Sequence, residues 1–337
     1  MKKQRKIPIP VRYGINFILT AAFLAVGSVM MGAGIFNRAT TAIIQQIGIY
    51  IILAVSLNMV VGYLGQLPLG HAGFMAVGAY TAAIVWKATT GMPTFISIIL
   101  GMAAAGIAAA IFGVIIGIPA LRLKGDYLAI ITLGFSEIIR ICIINLPSIT
   151  GGTPGLLNIP KHANFFVIFT TVAITCYVIH TIMHSRHGRA ILSIRGNEIA
   201  ADACGINLTY YKVFTFAVSA FFAGVAGSMY AGFQGSLFPA SFDFMASINI
   251  LVMVVLGGMG SMLGSVIAAT VLTALPLLLQ SLSEYRMVIY SLLLIIVMIF
   301  KPSGLMGQYD FSLTDIIEKL INGALFKKKK AGGAENE

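Results

Sequence analysis

The sequence is short of charge, of cysteine and of every short motif that marks a soluble enzyme. Charged residues make up 10% of its 337 positions, with 11 Asp and Glu against 22 Lys and Arg. An ordinary soluble domain carries roughly 25% charge, so that class is excluded. The three cysteines, Cys142, Cys176 and Cys204, have neither metal-ligand nor CxxC spacing and read as small apolar fillers. No GxxxxGK followed by Ser or Thr occurs, so the chain has no nucleotide-binding P-loop of its own. HExxH, GxSxG and paired-cysteine metal motifs are also missing. The histidines, His71, His162, His180, His184 and His187, are scattered, and the last two flank Ser185 and Arg186 as a solvated polar face. No catalytic residue, metal site or cofactor is expected. The basic excess forms no continuous face, which argues against a nucleic-acid partner.

What the sequence has is apolar length. Hydrophobic residues reach 58% and the mean hydropathy is +0.94. Repeated apolar runs of ~17–25 residues predict membrane-spanning helices, because lipid offers the backbone no other partner. The predicted fold class is all-α, a polytopic membrane protein of about ten transmembrane helices with a cytoplasmic coupling helix. The expected layout is a basic cytoplasmic N-terminus over 1–14, a transmembrane body over 15–305 and a cytoplasmic amphipathic, basic tail over 306–337.

The first run, Ile15 to Ile35, follows Lys2, Lys3, Arg5, Lys6 and Arg12. It reads as a retained span with its N-terminus inside, since no convincing cleavage site follows. The second, Ile43 to Val61, ends in GYLGQLPLGHAGF (Gly62 to Phe74), where four glycines and Pro68 break the helix without any charge. This stretch is either a tight turn or a partly re-entrant segment lining a pathway, with Gly65, Gln66 and His71 as pathway candidates. Runs Phe74 to Trp86 and Phe95 to Ile118 are dense in Gly and Ala and are expected to pack inside the bundle. Pro119 ends the fourth span, and Asp126 is placed to cap a helix beginning at Tyr127. The loop Asn145 to Ala163 belongs outside, and span six runs from Asn164 to Met183. Later runs are Val213 to Gly232, Ala246 to Gly257, Gly264 to Gln280 and Met287 to Phe300. The eighth is short unless it borrows from the glycine hinge Leu256 to Gly264. Of the Lys and Arg residues, Arg38, Lys87, Arg140, Lys161 and Arg286 fall outside in this topology and the rest inside. Both termini are therefore cytoplasmic and the chain sits in the cell membrane.

The longest polar interruption is Ser185 to Lys212, with Arg186, Arg189, Arg195 and Lys212. Its middle, Asn197 to Ile206, predicts a short helix with Gly205 just past its end, lying on the cytoplasmic face. An Ala-rich helix of that kind offers a small-residue surface for docking against another protein.

Within span five, Glu137 lies ~15 Å from the helix start, near the middle of a ~30 Å core, and Arg140 follows on the same face. The carboxylate is either a pathway group that meets a substrate ammonium or half of a structural pair holding span five against a neighbour.

Four stretches resemble one family: Asn58 to Ala83, Leu121 to Arg140, Gly188 to Asn207 and Val255 to Gly264. They are similar to the permease subunit of branched-chain amino acid ABC importers, and LRLKGDYLAI places the chain nearer the M-type than the H-type. The resemblance covers about Ile47 to Gly307. It implies alternating access, a homologous second permease, two ATPase subunits and an extracytoplasmic substrate-binding protein. It also implies a coupling loop of EAAxxxG type seated in the ATPase. Ala200, Ala201 and Gly205 match AAxxxG, with Arg195 and Glu198 beside them. Ile199 stands at the acidic position and Glu198 one residue early, which leaves the role of Glu198 open. Within that reading urea, short amides or a simple sugar compete with Leu, Ile and Val as cargo. An ion-coupled secondary transporter would need more intramembrane acids or histidines than the spans supply, and a scaffold would not need Gly-interrupted spans.

Overall fold

The computed structural model describes residues 9–32, 37–123, 125–278, 291–292, 295, 299–300 and 304–307. The tail beyond 307, most of the tenth run, Lys124 and the first eight residues lie outside this set. Two compact units are distinguished, one of 1–35 with 309–337 and one of 36–308. In the first, helix α1 (Ile9–Gly32) is described.

The second unit is a helical bundle. Its helices are α2 (Arg38–Asn58), α3 (His71–Ala88), α4 (Thr94–Ala120), α5 (Asp126–Ile144), the single turn α6 (Pro147–Thr150) and α7 (Phe165–His184). They are followed by α8 (Arg186–Gly196), α9 (Glu198–Ala203), α10 (Leu208–Gln234), α11 (Phe244–Gly257) and α12 (Met262–Leu278). No strand occurs among the described residues, only one isolated bridge between Leu156 and Leu237. Among the described residues, five helical stretches are long and apolar enough to cross a membrane: Arg38–Leu64, Thr94–Ala120, Asp126–Ile144, Phe165–His184 and Leu208–Gln234. Shorter apolar helices at Thr20–Met31, Phe244–Gly257 and Met262–Pro276 accompany them.

The core is built on close backbone approach. Helix α10 packs most extensively against α4 and α3. A Cβ on Gly78 would fall 2.2 Å from the Gly224 carbonyl oxygen, so only glycine fits where α3 crosses α10. This is why α3, expected inside, is buried along most of its length. Helix α4 divides instead. Gly101, Ala105, Ala109 and Gly113 are buried, while Phe95, Ile99, Ile107, Ile111 and Ile115 are exposed, the apolar outer surface that a bilayer accommodates.

Several local expectations shift. Asp126 does not cap α5. Gly125, with φ +61°, takes the cap position, and Asp126 begins the helix, where its charge suits the N-terminal dipole. Helix α4 runs one residue past Pro119 before Leu121 closes its last turn. Helix α11 does not borrow from the hinge at its C-terminal end. It gains length at its start, where the Asp243 carboxylate accepts from the Ala246 N–H.

Candidate functional site

The polar interruption after α7 folds as two helices rather than one. Ser185 Oγ accepts from the N–H groups of His187 and Gly188 and starts α8. Asn197 Oδ1 accepts from those of Ile199 (3.0 Å) and Ala200 (3.1 Å), so the same residue ends α8 and starts α9. A second cap side chain at that point is what divides the predicted helix from its upstream neighbour. The glycine placed at the end by the sequence is there. Gly205 adopts φ +81°, its N–H bonds the Asp202 carbonyl at 2.8 Å, and the Ile206 N–H bonds that of Ala201 at 3.1 Å. These two bonds are the paired closure that glycine makes at a helix C-terminus.

The helix α9 has an inner and an outer side. Ala201 is buried, whereas Ala200 is exposed and Ile199 is 79% exposed. Glu198 turns inward, with Oε1 2.7 Å from Nζ of Lys212 in the first turns of α10. Lys212 was read from the sequence only as one more basic residue of the loop. In the fold it is buried and neutralised by Glu198.

Arg195, in the last turn of α8, also points into the protein. Its Nη1 donates to the Gly62 carbonyl oxygen at 2.5 Å. Gly62 belongs to a π-helical turn, Met59–Leu64, that continues α2 without a break. Such turns recur at functional sites. Asn58, just before that turn, donates from Nδ2 to the Ser261 carbonyl (3.0 Å) and accepts at Oδ1 from the Gly260 N–H (2.9 Å). A Cβ on Gly62 would meet the Gly260 nitrogen at 2.2 Å. Three segments distant in sequence thus meet: the end of α2, the end of α8 and the 258–261 turn between α11 and α12. No local pattern marked Asn58, Gly62, Gly260 or Ser261 as partners, because their pairing spans about two hundred residues.

The helix break expected across Gly62 to Phe74 is confined to 65–70. Gly65, with φ +79°, lies over the aliphatic stem of Arg195, so these two candidate residues are brought together. Gln66 bonds through its N–H to the Val60 carbonyl at 3.1 Å, while its side-chain Oε1 is buried with no hydrogen-bond partner. The Leu69 N–H bonds Thr132 Oγ1 of α5, and the Ala72 N–H bonds Ser247 Oγ of α11. His71 is buried with Nε2 3.0 Å from Ser56 Oγ. Glu137 and Arg140 form an ion pair at 2.7 Å within α5, with side chains 27% and 29% exposed. That pair closes on its own helix. Among the described residues no group of three or more His, Cys, Asp or Glu is arranged to hold a metal ion.

The comparisons with known proteins agree with this architecture. The family described as "Branched-chain amino acid transport system / permease component" matches residues 39–299. The high-affinity branched-chain amino acid transport system permease protein LivM of Escherichia coli is 38% identical over 323 residues, covering 86% of this chain and 73% of that protein. LivH of Salmonella typhimurium, from the same kind of system, is 27% identical over 282 residues, 77% of this chain and 91% of the relative. A probable LivM of Methanocaldococcus jannaschii is 24% identical over 328 residues, 81% and 95% of the two chains. No solved structure matches the chain.

Proposed function

The chain belongs to the permease-component family of the branched-chain amino acid transport system, and from that premise we propose that it is the M-type membrane permease of an ATP-driven importer. It is a multi-pass membrane protein. Its cargo is Leu, Ile and Val, moved into the cytoplasm by alternating access. The observation that carries this reading is 38% identity to LivM over most of both chains. The similarity to LivH as well points to a homologous second permease as partner. Two ATPase subunits and an extracytoplasmic binding protein complete the machine, and ATP is hydrolysed on those separate subunits. About ten spans over 15–305, both termini in the cytoplasm and a basic tail over 306–337 form its layout.

Helices α8 and α9 act as the coupling element. The outer side of α9, with Ile199 and Ala200, seats in the ATPase. Glu198, Ala201 and the Gly205 closure hold the helix to the membrane body. Gly65, Gln66 and His71 contribute to the pathway, while Glu137 serves the structural pair with Arg140 in α5. Support for the pathway role of Gln66 comes from its buried, unpartnered amide oxygen, since such a group costs free energy until something donates to it.

The test is reconstitution of the chain with its second permease, ATPases and binding protein in proteoliposomes. ATP-dependent uptake of radiolabelled leucine, isoleucine and valine is expected, without any response to a proton or sodium gradient. Uptake of urea, a short amide or a sugar in their place would reassign the cargo. Gradient-driven uptake without ATP would reassign the mechanism.

A further inference from the structure

The end of α2 poses a problem that Arg195 solves. The last four carbonyls of any helix have no partner within it. Here the helix runs through the π turn to Leu64 and stops at Gly65. The Val60 carbonyl is taken by the N–H groups of Gly65 and Gln66. The Gly62 carbonyl is taken by the Arg195 guanidinium, which comes from α8. A cation at this position also meets the negative end of the helix dipole. Arg195 is therefore a capping group for α2, supplied in trans by the polar loop.

We propose that Arg195 is the positioning residue that carries motion of the α8–α9 loop into the membrane body, by capping and uncapping the π-helical end of α2 at Gly62. This rests on the permease reading above. Besides the packing of buried Ile191 and Ile194 and the Glu198–Lys212 ion pair, which tie the loop to whole helices, the loop reaches the bundle by three routes. Two are covalent and enter unbroken helices, α7 through Ser185 and α10 through Asn207. The third is the Arg195–Gly62 bond, and it alone enters a helix whose regular ladder has already given way to a π turn and then to a non-helical linker. A displacement of α8 by an ångström breaks one bond there but must drag a whole helix elsewhere. The linker freed or held by that cap is 65–70, which carries the unpartnered Gln66 amide oxygen and leads into the His71–Ser56 contact. Asn58 keeps the other side of the same turn fixed to Gly260 and Ser261, so the end of α2 pivots rather than unravels.

Arg195 thus faces inward and not the ATPase, and this separates the proposal from a docking role. The test uses the full complex with a cysteine-free chain carrying a spin label at Leu67→Cys, an exposed linker position. The wild-type linker is expected to change its label mobility on addition of ATP. In Arg195→Met, which keeps the stem but no donor, that change is lost. Amino acid moved per ATP falls at least about tenfold, the scale of one charge-assisted hydrogen bond, while both ATPase subunits stay bound. Arg195→Lys, with one donor on a shorter reach, is expected to accumulate normally and couple at an intermediate level. An unchanged label response and coupling ratio in Arg195→Met overturns the proposal, as does loss of the ATPases from that variant. Poor accumulation of Arg195→Met together with wild-type coupling in Arg195→Lys makes the contact a folding element only, and overturns it too. A wild-type complex without any ATP-dependent uptake refutes the permease reading instead.

Discussion

Glu198 and Lys212 stand 2.7 Å apart, carboxylate to ammonium, across the junction between α9 and the start of α10. Lys212 retains 7% of its side-chain exposure and Glu198 28%. The acid that sits one place early for a coupling motif is thus engaged by the chain's own lysine. The pair ties α9 to the start of α10, and Ile199 and Ala200 stay exposed on the other side of the helix.

Glu198→Gln removes the charge and leaves a buried ammonium without its counter-ion. A fully buried pair loses more, but Glu198 is part-exposed, so a cost of about 1–3 kcal/mol is expected. Thermal unfolding of the purified complex measures it. The double variant Glu198→Gln with Lys212→Met should recover part of the loss, because no lone charge remains. A single variant as stable as wild type would show that the pair holds nothing.

Gly205 offers a cleaner separation of strain from docking. A Cβ built on it meets no atom of the described residues beyond its chain neighbours within 4 Å, yet its φ of +81° strains any L-residue. Gly205→Ala should therefore cost only about 1 kcal/mol, from backbone conformation. Gly205→Glu adds a bulky anion on the partner's side. It is expected to abolish transport and stimulated ATP hydrolysis while the binding protein still takes its ligand. Wild-type uptake by Gly205→Glu, or its failure to reach the membrane, would remove α9 from the coupling role.

The Glu137–Arg140 pair closes within α5. Glu137→Gln leaves Arg140 unpaired at membrane depth, at a cost of roughly 2.5–3.5 kcal/mol on insertion scales before snorkelling relieves it. Lower yield or thermal stability, with near-normal uptake per folded complex, is the expected result. Normal yield with much weaker uptake would instead put the carboxylate in contact with the substrate's ammonium group.

Orientation is checked by labelling. Single cysteines at the exposed Ser148 and Ser241, in a cysteine-free chain, should react with an impermeant thiol reagent added outside intact cells. A cysteine at Ser193 in α8 should be protected. Reaction of Ser193→Cys from outside would invert the proposed topology.

Some of the site was legible in one dimension because its causes are local. The Gly205 closure, the Asn164 start of α7, the helix break after α2 and the small-residue seams of α3 and α4 each depend on neighbours a few positions away. The division of 185–212 into two helices was also written locally, in Ser185 and Asn197, but it was masked by the stronger signal of the terminal glycine. Arg195 was read only as one of the loop's basic residues, beside the residues that match the coupling motif. A lone arginine in a polar loop carries no sign of which way its side chain turns.

The sequence by itself determined that this chain is a helical membrane protein and where most of its helices begin and end. Apolar run length, cap residues and helix breakers act over one or two turns, and lipid leaves a backbone no alternative to the helix. Only the tertiary structure decided that Lys212 is buried against Glu198, that Arg195 caps α2 at Gly62, and that Asn58 binds the turn at Gly260 and Ser261. Those contacts satisfy polar groups stranded at helix ends inside a packed bundle. Which distant segment supplies the missing partner depends on how the helices cross, which is a property of the whole fold.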